Sequence, residues 1–496
     1  MEGNNQKQAS FLSKALSSVN PDKVKDLHLI ISSINRPEHL DVITKGIVDK
    51  IDFAYAGPQS KRVAQMLKQR KIKIGGVHTY LELYGRLFVD LIPRIALIAA
   101  DKADIHGNLF TGPNTEETPT LVEATAFSNG IVIAQVNELV EELPRVDIPG
   151  SWIDLIVVTD EPYAIEALFT RDPQKITATQ ILMAMMVIKG VYARHGVVSL
   201  NHGVGYNTAA IELLLPTYGE SLGLKGKICK HWVVNPHPTL IPAIESGWIE
   251  SIYSFGGEAG MEKYVASRSD IFFTGHDSSL RSNRTLAQIA GQYAVDLFIG
   301  STLQMDRNAN SSAIIDTRWT GFGGAPNMGH NPGGRRHASS AWLDLSYYCE
   351  DIKKGRKLVV QVLETFWDGK PNFLEKLDAV KMANEVGLES MPVMIYGNDV
   401  THVVTEQGIA YLYKATSIEE RRQALAAVAV GTPIATNQTS QTREELRRKG
   451  MVAYPEDLQI DVSDAKRSLL AAQSIEDLVK WSGGLYQPPS KFVSKK

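Results

Sequence analysis

The chain has 496 residues, 44% of them apolar, with 52 basic against 55 acidic side chains and a formal charge of −3. That length predicts two or three domains with full hydrophobic cores, and the balanced charge argues against nucleic acid as the main partner. Two cysteines, Cys229 and Cys349, exclude a disulfide scaffold and a thiolate metal cluster.

No uncharged apolar run reaches membrane-spanning length; the run at Ile95–Ala100 is closed by Asp101. The first residues lack the basic start and apolar stretch of a signal peptide. We therefore expect a cytoplasmic globular protein with no membrane partner.

Short β-rich runs alternate with longer amphipathic stretches, which predicts α/β architecture. The expected strands are Leu27–Ile31, Ile51–Tyr55, Ile95–Ala99, Gly130–Gln135, Trp152–Val158, Val197–Asn201, Ile271–Phe273, Val295–Ile299, Leu358–Val362, His402–Thr405 and Met451–Tyr454. Several are apolar at successive positions, as strands buried on both faces are. One helix is expected between Asp172-Pro173 and Gly196, and the Asp-Pro step marks a boundary, since proline disfavours helix in the residue before it. This divides the chain into domains at 1–173 and 174–496. Trp152-Ile-Asp154-Leu-Ile and Ala294-Val-Asp296-Leu-Phe read alike, a short hint of a tandem repeat.

Three segments could carry chemistry. In Ser199-Leu-Asn201-His202-Gly203-Val204-Gly205-Tyr-Asn207, a strand runs through a Gly-x-Gly turn into a helix. Amides at such a turn cradle an anion or oxyanion; the alternative is a tight turn with no ligand. In Gly321-Phe-Gly323-Gly324-Ala-Pro-Asn327 followed by Gly333-Gly334-Arg335-Arg336-His337, glycines lead into a paired arginine. That combination suits a carboxylate or phosphate; the alternative is a solvated surface loop. In Val403-Val404-Thr405-Glu406-Gln407-Gly408, a strand ends on a carboxylate, which is either catalytic or a structural cap. Asp104-Ile-His106-Gly107-Asn108 reads as a turn. His231, His237 and His337 are the histidines to watch. No phosphate loop, H-E-x-x-H, G-x-S-x-G or CxxC occurs, and no metal site is expected.

In order and spacing these segments resemble the family of acetyl-CoA hydrolases, CoA-transferases and citrate lyase alpha subunits. The motifs run from Asp104…Asn108 through Ala134-Gln-Val-Asn137, Ser151-Trp-Ile-Asp154, Gly203-Val-Gly205, Val295-Asp296-Leu297 and Gly321–Gly324 to Thr405-Glu406-Gln-Gly408. Within it, NHGVGYNTAAIELLLPTYGE, HWVVNPHPTLIPAIESGWIES and GFGGAPNMGHNPGGRRH are similar to malonate decarboxylase alpha subunits.

The resemblance implies two tandem CoA-transferase-like (NagB/RpiA-like) open α/β domains with the active site in the cleft between them. It implies an acyl-carrier-protein transferase: acetyl-S-carrier plus malonate gives malonyl-S-carrier plus acetate. Its partners would be the carrier-protein subunit, bearing an arm derived from dephospho-CoA, and separate decarboxylase subunits. No cofactor would be bound directly, although CoA or acetyl-CoA could enter the cleft.

Two departures follow. The glutamate nucleophile of the hydrolases is missing, because Ile228–Pro238 holds no carboxylate and Glu245 and Glu250 fall beyond it. The first residues look like an internal stretch of a longer family amino terminus, so a first strand is expected to be absent or encoded upstream. On this reading a malonate carboxylate attacks the thioester directly. The amides of Gly203, Val204, Gly205, Gly323 and Gly324 would stabilise the oxyanion at ~3 kcal/mol per donor, with Glu406 beside them. Asn201, Asn207, Asn327, Arg335 and Arg336 would hold substrate. The rivals are a hydrolase or transferase acting on free CoA, and a ligand-sensing module of the same fold.

Overall fold

The computed structural model describes residues 7–112, 116–160, 164–276, 278, 280, 284–330, 339–340, 352 and 355–493. The main strands are, in chain order, β1 (Leu27–Ser33), β2 (Val48–Tyr55), β3 (Lys73–Val77), β4 (Ile95–Asp104), β5 (Leu109–Phe110), β6 (Ile131–Val140) and β7 (Leu155–Val158). They continue with β8 (Ser199–His202), β9 (His231–Val233), β10 (Ser251–Tyr253), β11 (Leu297–Ser301), β12 (Leu358–Val362), β13 (His402–Thr405), β14 (Gly408–Tyr411) and β15 (Val452–Ala453).

Strands rich in Val, Ile and Leu take central places. β12 and β13 are buried along their whole length, as parallel strands covered on both faces should be. The second half forms one eight-stranded sheet in the order β10-β9-β8-β11-β12-β13-β14-β15. Its first six strands run parallel, and β14 and β15 are antiparallel additions. The chain moves from β8 outward to β10, then returns to lay β11 on the other side of β8, with Leu200 opposite Leu297. A reversal of this kind leaves a crevice beyond the strands' carboxyl ends, where open α/β sheets bind ligands.

The first half holds a parallel sheet β1-β2-β3 and a second sheet β5-β4-β6-β7. A twin turn links the halves. Asp104 Oδ1 accepts the amides of His106 and Asn108, both at 2.9 Å, and Asn108 Oδ1 accepts Gly150 N at 2.8 Å. In the second half, Asp306 Oδ1 accepts Asn308 N at 2.8 Å and Asn310 N at 3.0 Å, and Asn310 Oδ1 accepts Gly397 N at 2.9 Å. This pairs β4 with β11. The Asp154 and Asp296 pentapeptides instead precede β7 and β11, which sit at different places in their sheets, so that likeness does not mark the repeat.

The halves interlock. Ile314, Trp319, Leu377, Ala379 and Met382 pack into the core of β1 and β2 beside Phe53. Ala56 N donates to Thr320 O at 2.8 Å, and Phe322 N and Gly323 N both donate to Ala54 O, at 2.8 and 2.9 Å.

The single helix expected before Gly196 is three pieces: a 3-10 turn Pro173–Lys175, an α-helix Ala178–Val187 and a π-turn Ile188–Ala193. Thr177 caps the α-helix by accepting Gln180 N, which is why it starts after the proline turn. Ile271–Phe273 is not a strand. It makes an isolated bridge from Ile252 to Phe272, and Phe273 is exposed. Among the described residues no helix is long and apolar enough to cross a membrane.

Candidate active site

The crevice between β8 and β11 is built by small residues. A Cβ on Gly203 would meet Gly300 Cα at 3.1 Å, so glycine on both strands lets the turn lie against the sheet. Gly203 N donates to Ile299 O at 2.7 Å, and Thr208 Oγ1 donates back to Gly203 O at 2.7 Å and Gly205 O at 3.1 Å. The turn is thereby fixed at both ends. The amides of Val204, Gly205 and Tyr206 donate to no acceptor among the described residues. They open the helix Tyr206–Leu214, whose amino end carries partial positive charge.

A strap joining the two halves crosses this edge. Glu258 accepts the amides of Leu168, Phe169 and Thr170, at 3.2, 3.1 and 2.8 Å, and the Thr170 hydroxyl at 2.8 Å. Phe169 stacks on His237 with ring centres 5.3 Å apart. The strap ends in Arg171, whose Nη1 donates to Leu168 O at 3.0 Å and Thr170 O at 2.8 Å. The Arg171 guanidinium carbon lies 5.9 Å from the Tyr206 ring centre. Its charge also reaches Tyr55, at the end of β2: burial pushes the Tyr55 phenol up, and Arg171 and Arg318 oppose this. Tyr55 bridges Gly321. The second glycine segment thus meets the end of β2, which also feels the charge of Arg171.

Beneath the turn is a buried acid. Glu212 accepts His202 Nδ1 and His237 Nδ1, each at 2.9 Å, and the Thr239 hydroxyl. Burial would raise its carboxyl, but the charge on His237 and the bonds from both imidazoles win and hold it at about 2. Burial pushes His202 down, and its Nε2 pairs with the Tyr192 hydroxyl at 2.7 Å. His237 Nε2 is buried with no hydrogen-bond partner among the described residues, as are Asn235 Oδ1 and Ser254 Oγ. These atoms follow β9 and β10 at the sheet's carboxyl edge.

The residues expected from sequence separate into groups. Gly203, Val204, Gly205, Asn201 and Asn207 lie together. Asn201 is buried and its Nδ2 donates to Val233 O, tying β8 to β9. Asn207 Nδ2 donates to Ser301 Oγ at 3.1 Å and its Oδ1 has no partner among the described residues. Gly323 and Gly324 sit on the other segment. The Gly323 amide is spent on Ala54 O, which corrects its expected role as an oxyanion donor; Gly324 packs on Gln288. Asn327 Nδ2 also points to Gln288, at 3.3 Å.

Glu406 accepts the amide of Thr365 at 3.0 Å and its hydroxyl, so both carboxylate oxygens brace β12 against β13. Arg335 and Arg336 lie outside the described residues. Glu245 and Glu250 are paired with Arg268 and Lys230. Sequence reasoning missed three residues. Arg171 looked like part of a linker, Glu212 looked like a helix residue, and Glu364 was hidden in a polar loop. Burial and the nearby Glu406 push the Glu364 carboxyl up.

The chain is thus a two-part α/β fold with a glycine turn at the switch point of its larger sheet. The citrate lyase alpha subunit from Streptococcus mutans shares this fold, with a TM-score of 0.59 over 98% of this chain and 81% of that one at 16% identity.

The family model described as "Malonate decarboxylase, alpha subunit, transporter" matches residues 1–495, and the chain belongs to that family. It is 61% identical to a chain of a Pseudomonas malonate decarboxylase hetero-tetramer solved in complex with malonate, covering 100% of this chain and 91% of that one with a TM-score of 0.94. It is 59% identical to a malonate decarboxylase alpha subunit from Acinetobacter baumannii, covering 99% and 92%, with a TM-score of 0.93. A curated relative from Malonomonas rubra, "Acetyl-S-ACP:malonate ACP transferase", is 54% identical over 502 residues, 100% of this chain and 91% of its own length.

Proposed function

We propose that this chain is the transferase of a malonate decarboxylase, converting acetyl-S-carrier and malonate to malonyl-S-carrier and acetate. The observation that carries the reading is the set of unengaged amides Val204–Tyr206 in the β8/β11 crevice, in a chain 54% identical throughout to a transferase of that name. A malonate oxygen attacks the acetyl carbonyl carbon and the C–S bond breaks, giving an acetyl-malonyl anhydride and the carrier thiolate. The thiolate attacks the malonyl carbonyl, the C–O bond breaks and acetate leaves. Each half passes through a tetrahedral oxyanion, which the turn amides and the helix end stabilise. Exchange of one thioester for another needs no phosphate donor.

The same reading assigns the partners. The carrier subunit presents its dephospho-CoA-derived arm at this crevice, decarboxylase subunits act on the malonyl carrier, and the chain holds no cofactor of its own. It takes residues 1–173 and 174–496 as the two domains and the cytoplasm as the compartment. The test incubates the full chain with an acetylated malonate decarboxylase carrier and malonate, reads the carrier mass, and adds borohydride in parallel. The expected product is malonyl carrier with no trapped protein adduct. A reduced glutamyl adduct, or acetyl loss without malonyl gain, would overturn it.

A further inference from the structure

We infer that Arg171 is the residue that selects a dicarboxylate, by binding the malonate carboxylate that does not react; this rests on the transferase reading above. Malonate enters with two charges and spends one in the attack, so the second must be met by a fixed cation, and the unengaged donors of the turn are neutral amides. Arg171 meets three requirements. It stands beside Tyr206, the first residue of the helix whose amino end faces the crevice. Its Nη1 is anchored on the Leu168 and Thr170 carbonyls, while Nε and Nη2 find no acceptor among the described residues. That unengaged edge of the guanidinium is the fork that grips a carboxylate with two bonds.

The strap is itself immobilised. The Glu258 carboxylate takes three consecutive amides and the Thr170 hydroxyl, and Phe169 is stacked on His237. The cation is thus held in place before substrate arrives. Only one methylene separates the two carboxylates of malonate, so one carboxylate on Arg171 leaves the other within reach of the turn. Acetate, with a single carboxylate, does not need Arg171.

The experiment compares the full-length wild type with Arg171→Gln, whose amide can still donate to the strap carbonyls. Two rates are read with acetylated carrier: transfer to malonate, and exchange of labelled acetate into the acetyl thioester. Malonate binding is read separately by calorimetry. The expected result is a loss of about 10- to 100-fold in kcat/KM for malonate, with acetate exchange changed by less than about threefold and malonate heat abolished. Unchanged malonate transfer would overturn the inference, as would equal losses in both rates, which mark a scaffolding residue. If the wild type transfers nothing yet binds malonate and Arg171→Gln does not, the transferase reading fails and the binding assignment stands.

Discussion

The two halves reach the same topological place and use it differently. The Asp104 and Asp306 turns put β4 and β11 in equivalent positions, and β1 and β8 are each the first strand, in chain order, of the parallel sheet of their half. In the second half β8 and β11 are hydrogen-bonded, and the crevice above them is lined by Gly203, Gly205 and Gly300, with the amides of Val204, Gly205 and Tyr206 unengaged among the described residues. In the first half β1 and β4 belong to different sheets, and the end of β1 is filled. Ser32 donates to Glu117, and Arg284 from the second half is buried against Glu116 and Glu117 with its guanidinium 4.5 Å over the Tyr80 ring. Burial there pushes Glu116 up to about 8. A fold repeated twice therefore yields one open crevice and one plugged with side chains that lock the halves together. Repetition supplied the scaffold, and the choice of glycine or bulky charge at the strand ends decided which copy stays open.

The sharpest test exchanges single glycines on the two sides. Gly205 has extended backbone, and a Cβ there meets the Ser301 side chain first, its Oγ at 3.0 Å and its Cβ at 3.5 Å. Gly205→Val keeps its amide but puts a branched side chain in front of the turn; it should fold with little change in melting temperature and lose about 100- to 1,000-fold in transfer, the scale of an oxyanion denied one donor. Gly321 has φ +80°, and its Cβ would lie 2.4 Å from Ala54 O. Gly321→Ala should lower the melting temperature markedly, because both strain and the clash fall on backbone, while molecules that remain folded keep most of their kcat. Comparable activity loss with no stability loss at Gly321 would mean that its loop takes part in catalysis.

Glu212 gives the next largest effect. Its carboxylate receives three donors, and glutamine would turn an NH2 group against them. The shift from 4.5 to about 2 corresponds to roughly 3 kcal/mol of stability. The folded value is depressed, so this contribution is present above pH 4.5 and fades as pH falls towards 2. His202, also depressed, adds a loss in the same direction below its ordinary value. Urea midpoints should show Glu212→Gln well below wild type at pH 7, with the gap about halved at pH 3 and closing towards pH 2. A gap independent of pH would deny that the ionised form carries the stability.

Much of the scaffold was legible because parallel strands buried on both faces write themselves as unbroken apolar runs: β12 and β13 fall on the expected residues, and β1, β2 and β11 nearly do. The three-residue β10 is too short and polar to show such a run. The Gly-x-Gly turn was legible because its chemistry is local, in the strand end and the helix start. Gly323 misled because its amide is consumed by Ala54, about 270 residues earlier in the chain; only tertiary structure tells a free amide from an engaged one. Arg171 was invisible for the converse reason. Nothing in Thr170-Arg171-Asp172-Pro173 says that the strap folds over Tyr206, since Glu258 and His237 hold it there from elsewhere in the sequence.

The smallest effects separate the two glutamates on the edge of β12 and β13. Glu406 has both oxygens engaged by Thr365. A glutamine there keeps one acceptor, and the Thr365 hydroxyl can rotate to accept from the new NH2. Glu406→Gln should therefore cost only about 1 kcal/mol of stability and change kcat by less than about threefold. Glu364 is the contrasting case: half-buried, with its carboxyl raised by burial and by the Glu406 charge, and its side chain has no hydrogen-bond partner among the described residues. If a glutamyl thioester formed at this edge, Glu364 would be the carboxylate able to form it. Direct attack by malonate predicts that Glu364→Gln transfers within about threefold of wild type. A Glu364→Gln protein that is folded but inactive, with borohydride modifying Glu364 in the wild type, would place the nucleophile on the protein and leave the crevice amides to stabilise a different oxyanion.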